Sequence, residues 1–192
     1  MGRGQKTILT MVILVVVLIL IPFLYVKSTY NTLVRMDEQV KAAWAQVENQ
    51  LQRRYDLIPN YVETVKGYAK HEKEVFIKVT EARSKVAGAT SIPDKIKANN
   101  ELSAALSRLL VVVERYPDLK ANQNFIRLQD ELAGTENRIA VERRRFNETV
   151  RVYNTKIRSF PTNILASMFG FKPATFFQVP KEKQEAPKVK FD

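Results

Sequence analysis

The sequence predicts an all-α protein: a single transmembrane helix continues into an elongated antiparallel bundle of three to four long helices, and an extended tail follows. Three observations carry this. Ile8 to Val26 is a run of nineteen residues with no charge. Beyond it, apolar residues recur at the three- and four-residue steps that keep one face of a helix dry. The six glycines and eight prolines of the chain are clustered, which leaves long stretches free for helix.

The run ILTMVILVVVLILIPFLYV has only Thr10 and the Tyr25 hydroxyl as polar side-chain groups. As a helix it measures about 28 Å, close to the thickness of a bilayer's hydrocarbon core. A helix satisfies its own backbone hydrogen bonds, which lipid cannot do. The competing reading is a cleaved signal peptide. The run is longer than the ~7–15 apolar residues of such a leader, and Lys27-Ser28-Thr29-Tyr30 offers no A-x-A cleavage pattern. The expected divisions are a membrane anchor over residues 1–27 (span about 8–26), a bundle over 28–171 and a tail over 172–192.

From Lys27 neither Gly nor Pro appears until Pro59, so one helix is expected to run on from the span, with Val34, Trp44, Val47 and Leu51 on one face. Pro59 removes a backbone donor, which predicts a kink or break at Leu57-Ile58. Val62, Val65, Ala69, Phe76, Val79, Ala82 and Val86 then continue a helical stripe to Gly88. GATSIPD (88–94) reads as a loop, with Ser91 as N-cap, Pro93 in the first turn and Asp94 at the positive end of the next helix. That helix carries Leu102, Leu106, Leu109, Leu110 and Val113 and ends before Pro117. Tyr116-Pro117-Asp118 is a tight connection, so the following helix returns antiparallel. Phe125, Leu128, Leu132, Ile139, Phe146, Tyr153 and Ile157 place it at near-heptad steps up to Phe160-Pro161. Gly134 inside it predicts the close approach of a neighbouring helix, because a mid-helix glycine costs about 1 kcal/mol against alanine. A short amphipathic piece, 162–169, ends at Gly170, and the Pro- and Lys-rich remainder is expected to be extended.

YNTLV (30–34), AW (43–44), QLQRRYDLIPNYVETVKGYAKHE (50–72), EARS (81–84), ERYPDLKANQNF (114–125), GTENRIAVERRRFNETVRVYNTKIRSFP (134–161) and FGFK (169–172) together resemble the LemA family, in the same order. The resemblance covers roughly residues 30–172 and implies a bacterial membrane protein with an N-terminal anchor and a domain of long antiparallel helices. It implies no catalytic residue set that can be carried over. Some members use a lipoprotein-type cysteine in place of the anchor, and others are described with a cytoplasmic domain. This chain has no cysteine, so the resemblance leaves orientation open.

No catalytic, cofactor-binding or metal-binding residues are assigned from the sequence, and no cofactor is expected. His71 is the only histidine; with Glu72 or Glu74 alone it would make a poor zinc site. Ser84, Ser103 and Ser107 lack a nucleophile elbow or an S-x-x-K context. In 134–154, pairs such as Arg138 with Glu142 and Arg144 with Glu148 stand at i, i+4, and Asn137, Asn147 and Asn154 recur along the helix. These read either as a solvated stripe or as a polar network setting register between helices or subunits. Arg143-Arg144-Arg145 fan about 200° around a helix axis and cannot all face one ligand. No aromatic-interleaved basic motif is present, so no nucleic-acid partner is expected. In MFGFKPATFF, Phe169, Phe171, Phe176 and Phe177 either touch membrane or partner, or close the open end of the bundle; closure is the preferred reading.

Net charge is +11, and +8 once Arg3, Lys6 and Lys27 are assigned to the anchor. Acids are interspersed nearly throughout. The leading expectation is a non-enzymatic, membrane-anchored scaffold or adaptor. Its expected partners are membrane lipid through the anchor, a second copy of itself and unidentified envelope proteins. The alternative is an envelope factor binding anionic lipid headgroups through a basic helical surface. Basic residues near the two ends of the span almost balance. The short basic head before a long domain favours the bacterial inner membrane with the domain in the periplasm.

Overall fold

The structure is a computed structural model that describes residues 3–178. The notion of an extended tail therefore bears on 172–178, and 179–192 lie outside the described residues. Six helices and no strand occur among the described residues: α1 Arg3–Tyr68, α2 Lys73–Gly88, α3 Ile92–Val113, α4 Pro117–Lys120, α5 Gln123–Arg158 and α6 Thr162–Met168. They divide into two compact units, residues 3–42 with 149–174, and 43–148 with 175–178.

The second unit is a four-helix bundle whose directions can be read from its side-chain pairs. Tyr61 stacks on Phe125 at 5.2 Å and Trp44 meets Phe146 edge-on at 5.4 Å, so α1 and α5 run antiparallel. Lys66 lies over Phe76 and Arg83 over Tyr55, so α2 runs back along α1. Glu48 pairs with Lys95 and Arg54 with Asn99 and Ser103, so α3 is parallel to α1. The result is up, down, up, down, with short connections throughout. Its core joins Ile58, Tyr61, Val65, Phe76, Val79, Leu102, Leu109, Leu119 and Phe125.

Two local features of α1 differ from expectation. The helix passes Pro59 without interruption. Ile58, Tyr61, Val62 and Val65, which flank the proline, are all buried. At about 1.5–3 kcal/mol per buried side chain, that anchoring outweighs the ~3 kcal/mol that proline costs inside a helix. The chain instead turns at 69–72, where the apolar stripe suggests continuity to Gly88. Ala69 is buried in the turn and Glu72 ties it down: Arg115 Nη2 lies 2.8 Å from its carboxylate and the Tyr116 hydroxyl donates to it at 3.4 Å. The same apolar spacing therefore serves two helices in place of one.

The start of α3 is as read from the sequence. Ser91 is extended, its Oγ accepts from the Asp94 N–H at 3.2 Å, and proline occupies the first turn. Of the residues placed on its apolar face, Leu102, Leu109 and Val113 are buried, whereas Leu110 is 42% exposed. The Tyr116-Pro117 connection contains the single turn α4, and α5 then begins behind Asn122, whose Oδ1 accepts from the N–H groups of Asn124 and Phe125. Gly134 does not mark a close approach: a Cβ built there meets nothing within 4 Å.

In the first unit α1 contributes Thr29, Leu33 and Val40 to the interior, α5 contributes Val150, Tyr153 and Ile157, and α6 contributes Thr162, Leu165 and Ala166. Gly170 ends α6 with φ 77°, and Phe171 N–H reaches back to the Ala166 carbonyl at 2.9 Å. That left-handed turn suits a residue without Cβ. From Met11 to Tyr25 no side chain of α1 is buried. By length and composition, α1 with this apolar N-terminal part is long and apolar enough to cross a membrane.

Candidate functional site

The most elaborate polar site lies inside the bundle of the second unit, and its centre is a residue that no sequence motif singles out. On α1 the core positions Val40, Trp44, Val47, Leu51, Ile58, Tyr61 and Val65 alternate by three and four residues, and Arg54 occupies the place in that series where an apolar residue belongs. Only 3% of Arg54 is exposed. A guanidinium cannot shed its charge at ordinary pH, so it must be paired where it lies.

Its fork gathers three helices. Arg54 Nη1 donates to Ser103 Oγ at 2.9 Å and to Glu136 Oε2 at 2.8 Å, and Nη2 donates to Asn99 Oδ1 at 2.8 Å. Asn99 in turn donates to the Lys95 carbonyl, and Ser103 Oγ to the Asn99 carbonyl at 3.0 Å. Glu136 is half exposed at 56%, so solvent shares the load of the ion pair. The Ser103 hydroxyl proton is directed to a main-chain carbonyl, not to a side chain. The arrangement fixes α1, α3 and α5 in register and presents no activated nucleophile.

A cleft of about 300 Å³ opens next to this hub, lined by Arg54, Tyr61, Ser103, Leu106, Leu132 and Glu136 among others. Neither Arg54 Nε nor the Tyr61 hydroxyl has a hydrogen-bond partner among the described residues. Burial alone pushes the Tyr61 phenol up to about 12. Its ionised form is therefore disfavoured in the folded state. Below about pH 10 the phenol is neutral in both states and contributes no pH dependence. Between about pH 10 and 12 the unfolded chain loses its proton first, and the folded state should lose about 2–3 kcal/mol. Tyr61→Phe is expected to abolish that fraction of the alkaline destabilisation while changing stability at pH 7 by less than about 1 kcal/mol. Urea titrations at pH 8 and pH 11.5 measure both.

The other residues singled out in the sequence fall in separate places. His71 is exposed in the turn between α1 and α2, and no cluster of three metal-ligating side chains occurs among the described residues. Ser84 lines an open groove with Lys66, Lys70, Lys73 and Lys85, away from the Arg54 hub. Glu142 pairs with Arg145 at 2.8 Å, and Arg143 lies over the Phe177 ring at 5.8 Å.

Two of the asparagines on α5 hold the chain's own C-terminal segment. Asn147 exchanges two hydrogen bonds with the backbone of Phe177, at 3.0 and 2.8 Å, and Asn154 does the same with Ala174, at 2.9 and 2.8 Å. The Tyr153 hydroxyl adds a bond to the Lys172 carbonyl at 3.1 Å. This network sets the register of a strand-like segment within one chain; it is not a contact between subunits. The aromatic cluster is divided as well: Phe177 is buried against Trp44, whereas Phe169 and Phe176 are 43% and 37% exposed.

Comparison with known proteins shows what the chain is similar to. A sequence model described as the LemA family matches residues 43–191. Magnetosome protein MamQ 2 of Paramagnetospirillum magneticum is 28% identical across 93% of this chain and 74% of its own length. Magnetosome protein MamQ of Magnetospirillum gryphiswaldense is 26% identical across 92% and 74%. Protein LemA of Metamycoplasma hominis is 26% identical across 81% of this chain and 71% of its own length. The family match begins just beyond the first unit's part of α1, so the apolar span lies outside it.

Proposed function

As this chain belongs to the LemA family, we propose that it is a non-enzymatic scaffold or adaptor, anchored in the bacterial inner membrane and self-associating, that offers its helical bundle to envelope proteins. The observation that carries this reading is the Arg54 hub. The most specialised polar groups of the bundle are spent on joining three of its helices. Exposed apolar side chains on α2 and α3 support a docking role: Ile77 is 56%, Leu110 42% and Val111 68% exposed. Isolated apolar residues are common on surfaces, but adjacent ones on a helix suit a partner. The membrane association itself rests on α1, whose apolar side chains face outward from Met11 to Tyr25. A domain on the periplasmic side fits the bases Arg3 and Lys6, unaccompanied by acid, on the N-terminal side of the span.

Energy transfer between donor- and acceptor-labelled copies of the full chain, co-reconstituted at rising lipid-to-protein ratio, tests self-association. Transfer that persists on dilution into lipid supports it, and transfer that falls in proportion to dilution rejects it. Asp130→Cys, exposed on α5 and probed with a membrane-impermeant thiol reagent in intact cells, reports the side of the membrane. Labelling only after disruption of the inner membrane rejects the periplasmic assignment.

A further inference from the structure

Within the first unit, α6 presents an apolar stripe that nothing among the described residues covers. Thr162, Leu165 and Ala166 face the interior. Phe160, in the corner before the helix, is 81% exposed, and Ile164 and Met168, four residues apart on the helix, are 57% and 68% exposed. One position further, Phe169 is also 43% exposed. Side chains at this spacing share a helix face. A corner followed by seven helical residues thus leaves four large apolar groups in the open.

Where this stripe sits is fixed by α1. Phe169 meets the Tyr30 ring edge-on at 4.9 Å and Phe171 meets it at 6.0 Å. Tyr30 is one turn beyond Val26, the end of the uncharged run, which places it about 6 Å along the helix. Further along, Tyr153 on α5 is near enough to Asp37 and Lys41 to feel their charges. The antiparallel α5 therefore returns toward the span, and its end and α6 lie at the level where the apolar helix leaves the hydrocarbon core.

Charge gives a second, independent indication. Residues 27–36 and 149–174 contain no acid, and their bases include Lys27, Arg35, Lys156, Arg158 and Lys172. Acids otherwise accompany bases nearly everywhere in the chain. Exposed aromatic and aliphatic side chains in an acid-free, basic stretch match the boundary layer of an anionic bilayer, where rings sit among the headgroups and ammonium and guanidinium groups meet phosphates.

We propose that α6 and the Phe160 corner form an interfacial lipid seat, with Phe160, Ile164 and Met168 in the acyl boundary of the membrane that holds α1 and the neighbouring bases on anionic headgroups. The seat rests on the membrane anchoring proposed above but not on self-association. It would hold the first unit at a set height and tilt on the bilayer and make its seating depend on lipid charge.

The chain has no cysteine, so single ones can be introduced cleanly. Full-length Ile164→Cys and Met168→Cys, carrying an environment-sensitive fluorophore, are reconstituted in mixed phosphatidylcholine and phosphatidylglycerol vesicles that contain acyl-chain nitroxide lipid. Leu20→Cys in the span and Lys41→Cys, about 22 Å along α1 from Val26, are the references. At least threefold more quenching at 164 and 168 than at 41 is expected, falling at least twofold when phosphatidylglycerol is omitted. Quenching at 164 and 168 equal to that at 41, with position 20 strongly quenched, overturns the seat while leaving the anchor intact. Shielding of 164 from an aqueous quencher without nitroxide quenching means that protein covers the stripe, and also overturns it. Quenching indifferent to phosphatidylglycerol removes the headgroup component.

Discussion

Arg54→Ala should lower the unfolding free energy of the full chain by about 3–4 kcal/mol, among the largest effects of any single substitution in the bundle. Two costs add. The Asn99 Oδ1 acceptor, in a residue only 4% exposed, loses its donor and stays out of reach of water, which costs about 1–3 kcal/mol. The space vacated by the long side chain, packed among core residues of three helices, costs about 2 kcal/mol more. Glu136 adds little, because a carboxylate already 56% exposed can return to solvent. The companion variants separate charge from volume. Arg54→Met keeps most of the volume and removes the buried charge, so it should cost about 1 kcal/mol less than Arg54→Ala, or better. Glu136→Gln leaves the guanidinium with its Asn99 and Ser103 bonds and should cost about 1–2 kcal/mol. Urea denaturation in mild detergent, followed by helical circular dichroism, measures all three. If Arg54→Ala costs less than about 1 kcal/mol, the value of a single ordinary hydrogen bond, the hub does not hold the helices together.

That hub also shows how far a sequence of this kind can be read. The three- and four-residue alternation on α1 defines its buried face, and an arginine inside that series is a legible signal of a buried cation. Its partners are not legible: Asn99, Ser103 and Glu136 come from other helices, 45 to 82 residues away. Local chemistry is readable where it is self-contained. Ser91 caps α3 through a bond three residues away, and α5 ends at Arg158, just before the Phe160-Pro161 corner. The turn at 69–72 is hidden because its Ala69 is buried on the same face as the residues before and after it, so apolar periodicity continues through it. Pro59 misleads for the opposite reason. A local rule foresees a break, and tertiary burial on both sides of the proline keeps the helix whole. Of the two readings open for Asn147 and Asn154, a register device is the one their bonds fit. The partner is a segment of the same chain, which spacing along one helix cannot disclose.

Deleting residues 3–26 should move the protein from the membrane pellet to the supernatant with its bundle intact. The first buried side chains of α1 are Thr29 and Leu33, so the removed residues contribute nothing to either unit's interior among the positions described. What they contribute is partitioning. A run of nineteen uncharged residues, with Leu, Ile, Val and Phe favouring insertion by about 0.3–0.6 kcal/mol each, is held in lipid by several kcal/mol. Sedimentation of membranes, with circular dichroism on whichever fraction holds the chain, gives the result. The behaviour at low salt carries further information. If α6 sits on lipid, the truncated chain retains a weak attachment through its neighbouring bases and a short apolar stripe, and that attachment should be lost between about 50 and 500 mM salt as the charges are screened. Release by salt is therefore compatible with both the anchor and the seat. A truncated chain that stays in the pellet through high salt and alkaline carbonate would show that the apolar helix is not what holds this protein to the membrane.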